Sequence, residues 1–223
     1  MIITWLGHAS FLLEGSGTSI VTDPYDPQPS GLDPITSRPE LVVMSSALDE
    51  AHSSWEHVPG APRVVNALDA VRAPIALGND VALHAIGASE GSDRPDDPKA
   101  NAMYWLQLDG VVVFHMGDSG TPLSAGQAAL LPPRVDVLLA LAGAGLTIAL
   151  PDLDEAIERI GPRIIVPMHY ATPKLRYDVG PLEDFLTRRG ADAIDVRHGN
   201  TAEITSASIP EARTVLVLEP LNG

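Results

Sequence analysis

Short apolar runs separated by turn residues dominate this chain, and long amphipathic stretches are few. The first 22 residues read as a β-meander. Ile2–Leu6 is apolar and β-branched, Phe11–Glu14 follows a Gly-His-Ala-Ser turn, and Thr18–Thr22 follows the hairpin signal Gly15-Ser16-Gly17. Asp23–Pro39 is rich in proline, which predicts a loop and excludes a helix or an inner strand. Leu41–Met44 predicts a short buried strand, and Ser45–Gly60 a polar, irregular segment. Strands are expected at Arg63–Val65 and Val81–Ile86, followed by a polar loop over Gly87–Lys99. Ala102–Leu108 and Val111–His115 flank Asp109-Gly110, the strongest hairpin signal in the chain. Ser124–Leu131 predicts a helix capped by Ser124, and Val135–Leu141 a buried strand. Asp152–Ile160 predicts a helix stopped by Gly161-Pro162, and Pro181–Arg189 one ended by Gly190. Between them, the strand Arg163–Val166 runs into Pro167-Met168-His169-Tyr170. Ala193–Val196, Ala202–Thr205 and Thr214–Leu218 predict three closing strands.

A β-rich start, an alternating β and α middle and a β-rich end suit two packed sheets with helices outside, an α/β architecture. No repeat of fixed period and no long linker interrupts the order, so 1–223 is expected to form a single domain. A length of 223 residues allows one substantial core, and 45% apolar with 19% charged residues is ordinary for a globular chain. Cysteine is absent, which excludes disulfides and thiolate metal sites. The net charge of −15 argues against a nucleic-acid backbone as partner. No run approaches the ~18–20 apolar residues of a membrane helix, and Met1–Trp5 lacks the start of a signal peptide. A soluble cytoplasmic protein is therefore expected.

Three polar clusters follow apolar strands directly. They are Gly7-His8-Ala9-Ser10 with Thr22-Asp23-Pro24, then His115-Met116-Gly117-Asp118-Ser119-Gly120, then Pro167-Met168-His169-Tyr170. Side chains at the carboxyl ends of strands are placed to share one cleft, although any one of these clusters reads equally as turn chemistry. Two motifs lack the context they need. Gly117-Asp118-Ser119-Gly120 looks like a trypsin-type nucleophile segment, but helices follow it. Gly87-Ala88-Ser89-Glu90-Gly91 fits a nucleophile elbow with no helix directly after its serine. Asp23, Asp26 and Asp33 do not make a calcium loop, since prolines interrupt them and no glutamate closes the set.

Taken in order, Thr4-Trp5-Leu6-Gly7-His8-Ala9-Ser10-Phe11, Thr22-Asp23-Pro24, His115 to Gly120, Val135-Asp136-Val137-Leu138-Leu139 and Pro167 to Tyr170 resemble the metallo-β-lactamase superfamily. Within it they resemble the small metal-dependent hydrolases related to ascorbate-6-phosphate lactonase. The resemblance implies a four-layer αββα sandwich and a two-metal site, usually zinc. It also implies a His-x-His-x-Asp-His motif after the strand Leu41–Met44. Matched position by position, that motif falls on Ser46, Leu48, Glu50 and Ala51, with His52 one place later. The family's next histidine falls near Gly87–Gly91, where there is none, and His84 lies too early in its strand. One metal thus keeps only the bridging Asp118.

The other metal retains Glu50, Asp118 and His169, with His52 as a fourth ligand if its loop shifts. Carboxylate and imidazole suit one divalent ion, Zn or Mn. By the same resemblance His8, Asp23 and His115 orient the ligands by hydrogen bonding. Their alternative reading is as buried groups that satisfy strand ends. Two functions follow. One is a mononuclear hydrolase of small esters, lactones or phosphate-bearing molecules, with Asp118 and His169 central to catalysis. The other is a metal-free relative that binds a small ligand or partner, or serves in a homo-oligomer, with Leu48 as an apolar repacking of the old site.

Overall fold

The computed structural model describes residues 1–91 and 100–220. β1 (Ile2–Gly7), β2 (Ser10–Gly15) and β3 (Thr18–Thr22) form the expected antiparallel meander. β4 (Leu41–Met44) and β5 (Arg63–Asn66) then add in parallel to β3. Side chains alternate across this sheet. Ile3, Trp5, Phe11, Leu13, Ile20, Leu41 and Val43 enter the main core, while Leu6, Val21, Val42 and Met44 face the other way. That outer face is covered by Tyr25, Leu32, Ile35 and Val58, so loop rather than long helix forms this layer.

The second sheet begins with β6 (Ile75–Gly78), β7 (Val81–Ser89), β8 (Ala100–Leu108) and β9 (Val111–His115), all antiparallel. β10 (Val137–Leu141) and β11 (Ile164–Met168) extend it in parallel to β9. β12 (Ala193–Arg197) and β14 (Thr214–Leu218) complete eight strands, and β13 (Thr201–Glu203) returns to pair with β1 as the sixth strand of the first sheet. Among the described residues four α-helices form: α1 (Pro27–Ser30), α2 (Ala125–Ala128), α3 (Leu150–Ile160) and α4 (Leu182–Leu186). α3 buries Leu153, Ala156, Ile157 and Ile160, the i, i+3, i+4, i+7 stripe of an amphipathic helix. Among the described residues no helix is long and apolar enough to cross a membrane.

Four expectations change. Asp23–Pro39 is not all loop, because α1 forms inside it. Its Asp26 side chain accepts from Gln28 N at 2.9 Å, Pro27 opens the helix where no N–H is needed, and Gly31 closes it at φ 76. β6 was not expected; Asn79 and Asp80, both at positive φ, turn it tightly into β7. β7 runs on through Ser89, so the polar loop starts later than Gly87, and its stretch 92–99 lies outside the described residues. α2 and α4 are shorter than their patterns suggest, although Ser124 does cap α2 in a reciprocal box with Gln127. Proline also stands inside β11. There Pro167 pairs with Ala140, but β14 pairs only with Ile164 and Ile165, so no ladder on that side needs its missing N–H.

Candidate metal centre

The carboxyl ends of β1, β3, β4, β9 and β11 meet at one end of the sandwich, and the backbone there is unusual. Seven non-glycine residues among those described have positive φ. Ser16, Asn79, Asp80 and Asp109 make hairpin turns, and the other three are His8 (51°), Asp23 (36°) and His169 (58°). A left-handed conformation costs such residues roughly 1–3 kcal/mol each, and it persists where surroundings enforce it. Here the enforcement crosses the two sheets. The His169 N–H donates to the His8 carbonyl at 3.0 Å, and Trp5 Nε1 donates to the same oxygen at 3.0 Å. Tyr170 in turn packs on the Trp5 ring at 5.0 Å.

Asp23 is the hub. Its buried carboxylate accepts from Ser45 N (2.9 Å), Ser45 Oγ (2.5 Å), His52 Nδ1 (3.0 Å) and Tyr104 OH (3.1 Å). Burial would raise its pKa, but His115 and His52 together with these hydrogen bonds hold it below the usual carboxylate value. The bond to Nδ1 fixes the His52 ring and leaves Nε2 directed into the cleft. His115 spends both ring nitrogens on backbone: Nε2 donates to Ala9 O at 2.9 Å, and Nδ1 accepts from Gly117 N at 2.8 Å. That second bond shapes the turn carrying Asp118. Gly117 has φ 61, and any Cβ there would run into Asn101 Oδ1 and the Ala102 carbonyl. Asp118 N is tied to Asn101 Oδ1 at 3.2 Å.

These supports bring a set of donor atoms together. His52 Nε2 lies 3.7 Å from Asp118 Oδ2 and 4.0 Å from Asp49 Oδ2, and His169 Nε2 lies 3.6 Å from Asp118 Oδ1. Two overlapping groups, His8–His52–His169 and Asp49–His52–Asp118, each offer donor atoms within 4.8 Å of one another. Ligands ~2.0–2.1 Å from zinc at tetrahedral angles stand roughly 3.4 Å apart, so a small contraction would close the site. Both His8 nitrogens, His52 Nε2, His169 Nδ1 and Asp118 Oδ1 are buried without a protein hydrogen-bond partner. Leaving such groups unsatisfied costs about 1–3 kcal/mol each, so their convergence fits a cation. Burial pushes Asp118 up to about 7 against the pull of His52. Burial followed by His52 pushes His169 down to about 3, and burial holds His8 well below its ordinary value. On His52 burial is outweighed by Asp118, then Asp23 and Asp49, and its pKa rises to about 10.

The cluster contains Asp118, His169 and His52, with Asp23 and His115 behind them. His52 points inward and is fully buried. Glu50 is a correction: its side chain is exposed and stands in neither group, and its carbonyl accepts from Asp26 N and Ser54 Oγ instead. The acid that this loop does bring near the cluster is Asp49, its Oδ2 4.0 Å from His52 Nε2. The His52 N–H donates to Asp49 O at 3.0 Å, and this turn brings two residues three apart onto one side. That spacing was the available signal for Asp49. Leu48 is a second correction, since at 88% exposure it repacks nothing. Ser46 is buried, and its Oγ has no partner. His8 was expected to orient ligands by hydrogen bonding, yet its ring makes no hydrogen bond and joins a donor group directly. His84 stacks on Trp105 away from these groups. Ser119 Oγ donates back to Met116 O at 2.9 Å, which leaves it unsuited to a nucleophile's role, and Ser89 pairs with Ala100 in an antiparallel ladder. Of the acids once weighed for calcium, Asp26 caps α1 and Asp33 pairs with Lys174 at 2.9 Å.

Two sheets whose strand ends converge on histidine and aspartate define a metallo-β-lactamase-type protein, and a family comparison agrees. The chain belongs to the β-lactamase superfamily domain family, whose model matches residues 2–169. Among curated relatives, a UPF0173 metal-dependent hydrolase of Carboxydothermus hydrogenoformans is 30% identical over 210 residues, 82% of this chain and 91% of the relative. Another from Pyrococcus furiosus is 27% identical over 194 residues, 76% of this chain and 84% of the relative. A solved Thermotoga maritima structure of the metallo-β-lactamase superfamily superposes with a TM-score of 0.74 at 30% identity, covering 98% of each chain.

Proposed function

We propose that the chain is a hydrolase that works with one divalent ion, Zn or Mn, held by His52, His169 and Asp118. The observation that carries this reading is the convergence of buried donor atoms that have no protein partner. The relatives' names, metal-dependent hydrolase, support the same class. When bound, such an ion lowers the pKa of a water and polarises a carbonyl or phosphoryl oxygen. The chain's own groups do the rest. Asp23 holds His52 by Nδ1, so that Nε2 is the nitrogen presented. Asp118, at the meeting point of both histidines, orients the attacking water and accepts its proton. Substrates of this class would be small esters, lactones or phosphate-bearing molecules.

A second reading has its own observation. Of the positions aligned with the family's other ion, Ser46 offers only a hydroxyl and Leu48 points to solvent. On this reading the chain is a metal-free binding protein in which His52 is paired with Asp23. Chelator-stripped protein given back Zn²⁺ or Mn²⁺ separates the two. The hydrolase reading expects turnover of an ester, lactone or phosphate panel only with the ion, abolished in Asp118→Ala and His169→Ala. No ion retained after soaking in excess Zn²⁺ and Mn²⁺ would leave the metal-free reading.

A further inference from the structure

We propose that His8 is itself a ligand of the ion, a third imidazole beside His52 and His169 that replaces donors missing from the β4–β5 loop. This assignment rests on the metal-dependent reading above.

The position of His8 is constrained from both sides. It follows β1 in the first sheet, whereas His169 follows β11 in the second, and the His169 N–H to His8 carbonyl bond locks the two backbones together. Both residues take left-handed φ, 51° and 58°, an uncommon conformation for a non-glycine residue. With both backbones turned this way, the two rings lie 37° out of parallel with centroids 3.9 Å apart, and the His52 ring closes the triangle at 5.0 and 5.4 Å.

A residue that only oriented ligands would hydrogen-bond to one of them or to backbone, as Asp23 does by accepting from His52 Nδ1 and His115 by donating to the Ala9 carbonyl. His8 does neither. It is 2% exposed, and both of its ring nitrogens lack any protein partner. The nearest aromatic group outside the triad, Tyr177, lies 5.1 Å away ring to ring, and its hydroxyl is also unpartnered. A buried neutral imidazole offers a lone pair, and three imidazoles are an established zinc set. Asp49 is the weaker rival for the same role. Its Oδ1 already accepts from Ala51 N at 2.9 Å, and its side chain is partly exposed.

The test is Zn²⁺ affinity, read by competition with a chromophoric chelator, and the visible spectrum of the Co²⁺-loaded chain. His8→Asn suits it, since asparagine tolerates the left-handed conformation. Thermal unfolding in chelator shows whether the variant is folded. The expected result is a fall in Zn²⁺ affinity beyond the ~10–100-fold that losing an outer partner costs, with shifted Co²⁺ bands. Asp49→Asn and Tyr177→Phe should each change affinity by less than about tenfold and leave the bands in place. Native binding with unchanged affinity and spectrum in His8→Asn would overturn the assignment and leave the hydrolase reading standing. No binding by the native chain would remove both.

Discussion

The two sides of the cleft reach the same point by different means. On the side of β9 and β11, His169 stands at a strand end, bonded to the His8 carbonyl, and Asp118 stands three residues past one, in a turn that the His115 ring shapes at Gly117. Their positions follow from the sheet. On the side of β4, a turn stands where a run of histidines would be, and it delivers Asp49 and His52 while leaving Leu48 and Glu50 outside. Strand ends keep their residues in register, because pairing fixes every Cα; loops present whatever their turn hydrogen bonds dictate. A missing motif in a loop is therefore weaker evidence of a lost site than a missing residue at a strand end.

The comparison breaks most severely at Asp23, which anchors the β4 loop to the sheet. Asp23→Ala leaves His52, Ser45 and Tyr104 with unmet buried groups, and urea unfolding should show a loss of about 3–5 kcal/mol. Next in size is the contrast between the acids. Asp118→Ala should weaken Zn²⁺ binding more than ~100-fold, while Glu50→Gln changes it less than about twofold, both measured by chelator competition. A third effect is pH dependence in chelator. The neighbouring carboxylates raise the His52 pKa from the ordinary 6.5 to about 10 in the folded chain, so its contribution is complete below 6.5 and is lost as pH rises through 10. Urea midpoints from pH 7 to 10 should fall accordingly. Asp118→Asn should move the fall to lower pH, since Asp118 is the strongest of the groups raising His52. The smallest effect is at Leu48. Leu48→Ala should shift stability by no more than ~0.5 kcal/mol, as expected of an exposed side chain; a loss of several kcal/mol would show that leucine does fill the old site.

Much of the sheet architecture was legible, because short apolar runs bounded by Gly, Asp and Pro carry their own boundaries; Thr18–Thr22, Leu41–Met44, Val111–His115 and Thr214–Leu218 match to the residue. β6 was not legible, since Ile75-Ala76-Leu77-Gly78 is too short for a period to appear. α1 was hidden by its prolines, which read as helix breakers although one of them opens the helix. His169 was legible as a polar residue directly after a buried strand, and Asp118 as one in the polar turn that follows another. Asp49 was not, because matching positions one by one assumes a fixed backbone path, and the 49–52 turn takes another. His8 was visible as a residue, but its direct place in the donor group depends on a contact between strands 160 residues apart in the chain, which only the folded sheets bring together.

Crystals of the native chain grown with Zn²⁺, with anomalous scattering recorded on either side of the zinc edge, bear most directly on the central claim. The account predicts one strong peak per chain, bounded by His52, His169 and Asp118. Two fully occupied peaks in the cleft, or a single peak remote from those side chains, would contradict it.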